Sequence, residues 1–285
     1  MRKTIIVLIC LLLLVSSLAA QENRSQGTTT TGSPDWDDRF HPAAQDLRPG
    51  TLRSKILDEQ WHYTVCLPYG YETSGERYPV LYLLDGPLHM QYTAGLADYL
   101  SRFSGQTVPI IIVDIAQQHR SRDMTPTPSQ DNPNNTGGAD RFLAFLSKEL
   151  VPTIEANYRT KSPRALFGFS LSGLFAIHAL LTQPDLFDYT IAASPAIWWD
   201  DNLLVHRAED FFRSKERLDG KLYFAVGANE RWQVQYYFNE MYRILNTNTP
   251  KGFRATFNRF EDEEHSTICM PTMYHGLKTI FSGLE

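Results

Sequence analysis

Ala165-Leu166-Phe167-Gly168-Phe169-Ser170-Leu171-Ser172-Gly173-Leu174-Phe175-Ala176 is the stretch that decides the reading of this chain. A short apolar strand, Ala165–Phe167, runs into a glycine, a serine and small residues. An apolar helix then extends to Thr182. A serine held on so sharp a strand-to-helix turn sits in sparsely populated dihedrals, and the crowded backbone demands small neighbours. The helix aims its first N–H groups back at Ser170, where a developing negative charge would be stabilised. The frame departs from the usual Gly-x-Ser-x-Gly elbow in one place: Ser172 stands where the second glycine is expected.

Outward from this turn the chain alternates strand and helix. Val80–Leu84 and Ile110–Val113 are unbroken apolar runs, as expected of strands covered on both faces. Helical spacing follows from Met90 to about Ser104 and from Ala139 to Asn157. The second helix carries Phe142, Phe145, Leu146 and Leu150 on one side, with Pro152 expected to kink it. Strands over Tyr189–Ala193, Leu222–Val226 and Ala255–Arg259 and helices over Val234–Leu245 and Pro271–Phe281 complete the series. Ahead of them, Leu52 to Leu57 and Trp61 to Leu67 read as a hairpin turning near Asp58-Glu59. The fold class is α/β, with a mostly parallel central sheet, helices on both faces and an N-terminal antiparallel hairpin. Ligands of such sheets bind beyond the carboxyl ends of the strands. Gly86, Ser170 and Glu230 each follow an apolar strand and should gather on that edge.

The first residues describe an export signal. Arg2 and Lys3 precede an apolar run from Ile5 to Val15, and Ser16-Ser17-Leu18-Ala19-Ala20 supplies small residues for cleavage. The run is too short to span a bilayer of ~30 Å, and no later stretch is apolar enough to form an integral span. The expected organisation is a signal peptide over 1–20, a flexible polar leader over 21–48 and one catalytic domain over 49–285, in a secreted or periplasmic protein. The formal charge of −5 becomes −7, 25 basic against 32 acidic residues, once Arg2 and Lys3 are removed. That balance argues against nucleic acid and anionic membrane surfaces as partners. Cys66 and Cys269 remain after cleavage, either as a pair in an oxidising compartment or as two buried apolar residues.

A serine hydroxyl needs a base, and the base needs an acid to orient it. Of eight histidines, His265 is the candidate base, because it follows the last strand near the C-terminus. His178 reads as core; His41 falls in the leader, His62 on the hairpin, and His206 in solvent. His89, His119 and His275 fall in or near loops. Glu230 is the candidate acid, with Asp200, Asp201 and Asp262 as rivals. There is no HExxH, no CxxC, no calcium-loop spacing and no GxGxxG after the first strand, so neither a metal nor a dinucleotide cofactor is expected.

Six blocks in order carry a resemblance: Tyr78–Gly86, Arg120–Pro126, Gly137–Phe142, Gly168–Gly173, Ser194–Trp199 and His265-Ser266. From about Thr51 to the C-terminus the chain resembles an esterase family of α/β hydrolases. That family includes enterochelin-type siderophore esterases, S-formylglutathione hydrolase, feruloyl esterases and mycolyltransferases, and the likeness is to its siderophore-esterase-like bacterial branch. The resemblance implies an α/β-hydrolase fold, a small-molecule ester substrate and no cofactor. It implies Ser170 as nucleophile, His265 as base and Glu230 as acid. It further implies oxyanion donors from Leu171 N–H and from the turn after Asp85-Gly86. Pro87 has no N–H to give, so the second donor falls to Gly86 or Leu88. Trp198 and Trp199 either line a substrate pocket or pack into the core. Arg122 either faces an acidic substrate or ties down its loop; Arg231 faces such a substrate or solvent. Two alternatives share the fold, an acyltransferase and a non-catalytic binding protein.

Overall fold

In the computed structural model, which describes residues 45–284, the apolar runs become one eight-stranded sheet. In chain order the strands are β1 (Asp46–Arg53), β2 (Gln60–Leu67), β3 (Tyr78–Leu84), β4 (Ile111–Ile115), β5 (Thr160–Phe169), β6 (Tyr189–Ala193), β7 (Arg217–Gly227) and β8 (Lys251–Phe260). Across the sheet they run β1-β2-β4-β3-β5-β6-β7-β8. β1 and β2 pair antiparallel, as do β2 and β4, and every pair from β4 onward is parallel. The helices are α1 (Gly86–Asp98), α2 (Arg120–Met124), α3 (Ala139–Phe145), α4 (Val151–Asn157), α5 (Leu171–Thr182), α6 (Trp199–Ser214), α7 (Trp232–Asn248) and α8 (Cys269–Phe281). None of the described helices is long and apolar enough to cross a membrane.

β3 shows why the central strands are unbroken apolar runs. Val80, Tyr82 and Leu84 face one side and pack with Phe142, Phe145 and Leu150 of the α3–α4 layer. Leu81 and Leu83 face the other side and pack with Met90 of α1 and Met273, Leu277 and Ile280 of α8. Both faces are buried, each apolar side chain contributing about 1.5–3 kcal/mol relative to exposure. α6 and α7 extend the first layer over Phe224 and Val226 of β7. α5 is buried along almost its whole length, and its apolar side chains reach into both neighbouring clusters of that face.

Some expectations change. The helix expected over Ala139–Asn157 is present, but as α3, a π-turn (Leu146–Leu150) and α4. Pro152, just past the wide turn, lacks the N–H that an α-helical bond to residue 148 would need. No element was expected over Trp199–Ser214, where α6 lies. His89 and His275 sit in α1 and α8 rather than in loops. β1 begins at Asp46, inside the expected leader. The expected signal peptide, the rest of the expected leader up to residue 44 and His41 lie outside the described residues. Cys66 and Cys269 are free and buried, and burial pushes their thiols up to about 11 and about 12.

Candidate active site

Five turns hang from the carboxyl ends of β3, β5, β6, β7 and β8, which are consecutive neighbours in the sheet. They carry Gly86, Ser170, Ser194, Glu230 and His265 respectively. The β5 turn is the strained one. Ser170 has φ 57° and ψ −114°, a combination that costs an L-residue about 1–3 kcal/mol. Its geometry requires Gly168, because a Cβ there would lie 2.0 Å from the Ser172 carbonyl oxygen.

Ser170 Oγ lies 3.1 Å from His265 Nε2, and His265 Nδ1 lies 2.6 Å from Glu230 Oε2. An ionised carboxylate only accepts, so Nδ1 carries the proton and Nε2 is left to accept from the serine hydroxyl. The Glu230 side chain is fully buried, whereas that of His265 is 44% exposed. Burial pushes the Glu230 carboxyl up, but hydrogen bonds from His265, the Ser194 hydroxyl and Gly227 N–H together hold it below the ordinary carboxylate range. The Glu230 carboxylate is therefore ionised and fixed by three donors. The rivals do not share this place: Asp200 and Asp201 occupy a left-handed stretch at the start of α6, and the carboxylate bonded to the imidazole is that of Glu230, not Asp262. The Phe169 ring packs against the imidazole at 4.7 Å.

The turns after β3 and β5 are also close, with Asp85, Pro87, Leu88, Gln117, Phe169 and Ser170 lining one open cleft. Leu171 and Gly86 each open a helix, so their N–H groups have no intrahelical acceptor. Leu88 is corrected: its N–H donates to the Asp85 carbonyl at 3.0 Å, closing the first turn of α1. A Cβ at Gly86 would fall 1.6 Å from Asp114 Oδ1 and 2.8 Å from its Cβ, so any side chain there would displace Asp114.

The residues with two expected roles have the following surroundings. Arg122 binds both Glu59 oxygens, at 2.6 and 2.9 Å, and Asp123 at 2.8 Å, which ties down its loop. Trp198 and Trp199 are partly buried and pack against the α6–α7 core, and Trp199 Nε1 donates to Thr127 Oγ1 at 3.0 Å. Arg231 is exposed at the start of α7. His178 is buried as expected, 2.8 Å from Asp140.

Two features escaped the sequence reading. Ser194 has φ 39° and donates to the acid; the only signal was its place directly after a strand. Arg120, readable as tying down its loop by ion pairing, grips Asp85 with two bonds of 2.8 Å, a partner the sequence did not name.

Known proteins resemble this chain. Residues 54–250 match the family model described as "Putative esterase". The chain is 30% identical to ferri-bacillibactin esterase BesA of Bacillus subtilis (strain 168) over 219 residues, 67% of this chain and 74% of that protein. It is 27% identical to a siderophore enterobactin esterase of Emericella nidulans over 293 residues, 83% of this chain and 97% of that one. Among solved structures, an IroE-like serine hydrolase from Shewanella oneidensis superposes with a TM-score of 0.75 at 32% identity, covering 83% of this chain and 80% of that chain. The chain belongs to the putative esterase family and is a carboxylic-ester hydrolase with the α/β-hydrolase fold.

Proposed function

We propose that this chain is a secreted serine esterase of siderophore-type esters, with Ser170 as nucleophile, His265 as base and Glu230 as acid. The observation that carries the reading is the unbroken hydrogen-bonded line from Ser170 through His265 to Glu230. His265 Nε2 takes the hydroxyl proton as Ser170 Oγ attacks the ester carbonyl. The oxyanion rests on Leu171 N–H and Gly86 N–H. The imidazolium, steadied by ionised Glu230, protonates the departing alcohol. Water then enters, loses its proton to His265 and releases the acid, restoring Ser170. The siderophore assignment is supported by relatives named for ferri-bacillibactin, triacetylfusarinine C and enterobactin. Export is supported by the basic and apolar character of residues 1–20.

The test is hydrolysis of ferric and iron-free siderophore esters beside feruloyl and p-nitrophenyl esters, with Ser170→Ala in parallel. Siderophore esters are expected to be cleaved with the higher kcat/KM, and Ser170→Ala to lower turnover by several orders of magnitude. A Ser170→Ala enzyme with wild-type turnover refutes the nucleophile. Siderophores left intact while simple esters are cleaved refute the substrate class alone.

A further inference from the structure

Ser172 occupies the elbow position where a glycine is usual, and its side chain is fully buried. Its hydroxyl accepts from Phe169 N–H at 2.7 Å and lies 2.7 Å from Asp85 Oδ2 and 2.8 Å from the Phe169 carbonyl. A hydroxyl has one proton, and the ionised carboxylate is the stronger acceptor, so Ser172 donates to Asp85. Arg120 holds both Asp85 oxygens at 2.8 Å and donates to the Phe169 carbonyl at 3.1 Å. The result is a closed ring: Phe169 N–H to Ser172, Ser172 to Asp85, Asp85 to Arg120, and Arg120 back to the Phe169 carbonyl. Asp85 takes part from a left-handed backbone, φ 54°, which an aspartate tolerates better than most residues.

The ring lies where the sheet stops. The β3–β5 ladder ends at the pair Leu83–Phe167, and Asp85 and Phe169 stand two residues beyond it. The ladder no longer fixes their separation there, yet Gly86 directly follows one and Ser170-Leu171 directly follow the other. Resting on the reading of Ser170 as nucleophile, we infer that Ser172, Asp85 and Arg120 are positioning residues that set the spacing between the Gly86 and Leu171 N–H groups. With Pro87 donating nothing and Leu88 engaged, that spacing governs both donors of the oxyanion site.

The test uses the full chain with Ser172→Ala, Asp85→Asn and the double variant on p-nitrophenyl butyrate. Rates are expressed per active site titrated with a fluorophosphonate, so that misfolded protein is not counted. A displaced donor costs less than a deleted one, so kcat should fall about 10- to 100-fold in each single variant, with KM changed less than about twofold. The double variant should lose about as much as either single one, because the ring is broken once. Wild-type kcat per titrated site, a loss confined to KM, or losses that multiply in the double variant would each overturn the inference. Should Ser172→Ala not fold, Asp85→Asn, which keeps the side-chain shape, decides it by the same criteria. Ser170→Ala run alongside separates the two readings: turnover surviving there sinks the nucleophile, whereas an inactive Ser170→Ala with unaffected Ser172→Ala and Asp85→Asn sinks only the ring.

Discussion

Replacing Glu230 by glutamine tests the line of hydrogen bonds through its weakest joint. Glu230 Oε1 receives two donors, Gly227 N–H at 2.8 Å and the Ser194 hydroxyl, while Oε2 receives only His265 Nδ1–H at 2.6 Å. A glutamine can keep its oxygen at the Oε1 site, which turns its NH₂ toward His265. Nδ1 must then accept, the ring proton moves to Nε2, and that proton faces Ser170 Oγ. The flipped amide would preserve the tautomer but set its NH₂ against Gly227 N–H, an orphaned buried donor costing about 1–3 kcal/mol. The wrong tautomer therefore dominates by a factor of roughly 5 to 150. Loss of the charged partner to the imidazolium removes a further ~1.5–3 kcal/mol, again about 10- to 150-fold. Together the variant should lose between about 50-fold and about 2 × 10⁴-fold in kcat, with KM little changed. The assay is steady-state hydrolysis of p-nitrophenyl butyrate from pH 6 to 9, with circular dichroism to verify the fold. The reasoning is refuted if kcat stays within tenfold of wild type across that range. The same substitution has a stability signature. The folded value of Glu230 lies below its ordinary 4.5, so ionised Glu230 stabilises the protein above pH 4.5. That stability is lost as the pH falls through the depressed value, a component glutamine should abolish.

Three further outcomes are expected. Gly168→Ala places a Cβ 2.0 Å from a backbone oxygen that no rotamer can move; about 3 kcal/mol or more of destabilisation, a Tm drop of roughly 6–12 °C, should appear in thermal unfolding. Asp114 is buried and pushed from 3.8 up to about 6 by desolvation, so the folded state binds more protons between those values and stability falls as the pH rises through them. Urea titrations at pH 4 and pH 7 should differ by up to about 3 kcal/mol from this residue, a difference that Asp114→Asn removes. Cys66 and Cys269, buried with thiols raised to about 11 and about 12, should react with iodoacetamide at pH 8 far more slowly in folded than in urea-unfolded protein, as mass spectrometry would report.

What was legible in the sequence followed burial and turn chemistry. β3 and β5 announce themselves because both faces are covered, and the elbow because only a few residue types fit it. His265 and Glu230 were legible from their places after strands, since a parallel sheet delivers such positions to one edge. The residue pattern puts the first hairpin strand too late in the chain, over Leu52 to Leu57, whereas β1 runs Asp46–Arg53: none of its residues is fully buried, so its first half reads as polar leader. α6 carries Leu204, Val205, Ala208 and Phe212 at helical spacing, but its first turn holds Asp200, Asp201 and Asn202 in left-handed conformations that read as a loop. The partners of Arg120 and Arg122 were out of reach for another reason. A cation's partner is chosen by tertiary geometry, and Asp85 and Glu59 lie 35 and 63 residues from them. The engagement of Leu88 N–H depends on whether α1 starts one residue earlier or later, which residue patterning does not resolve.

The strand order has a consequence for how such a chain can diversify. Ser170, Glu230 and His265 hang from β5, β7 and β8 of one sheet, so the placement of these three rests on neighbouring strands rather than on the segments that join them. The segment after α2 and the turn before α6, joined by the Thr127–Trp199 hydrogen bond, are free to lengthen, shorten or change composition. Such segments can be redrawn without disturbing the strands beneath them.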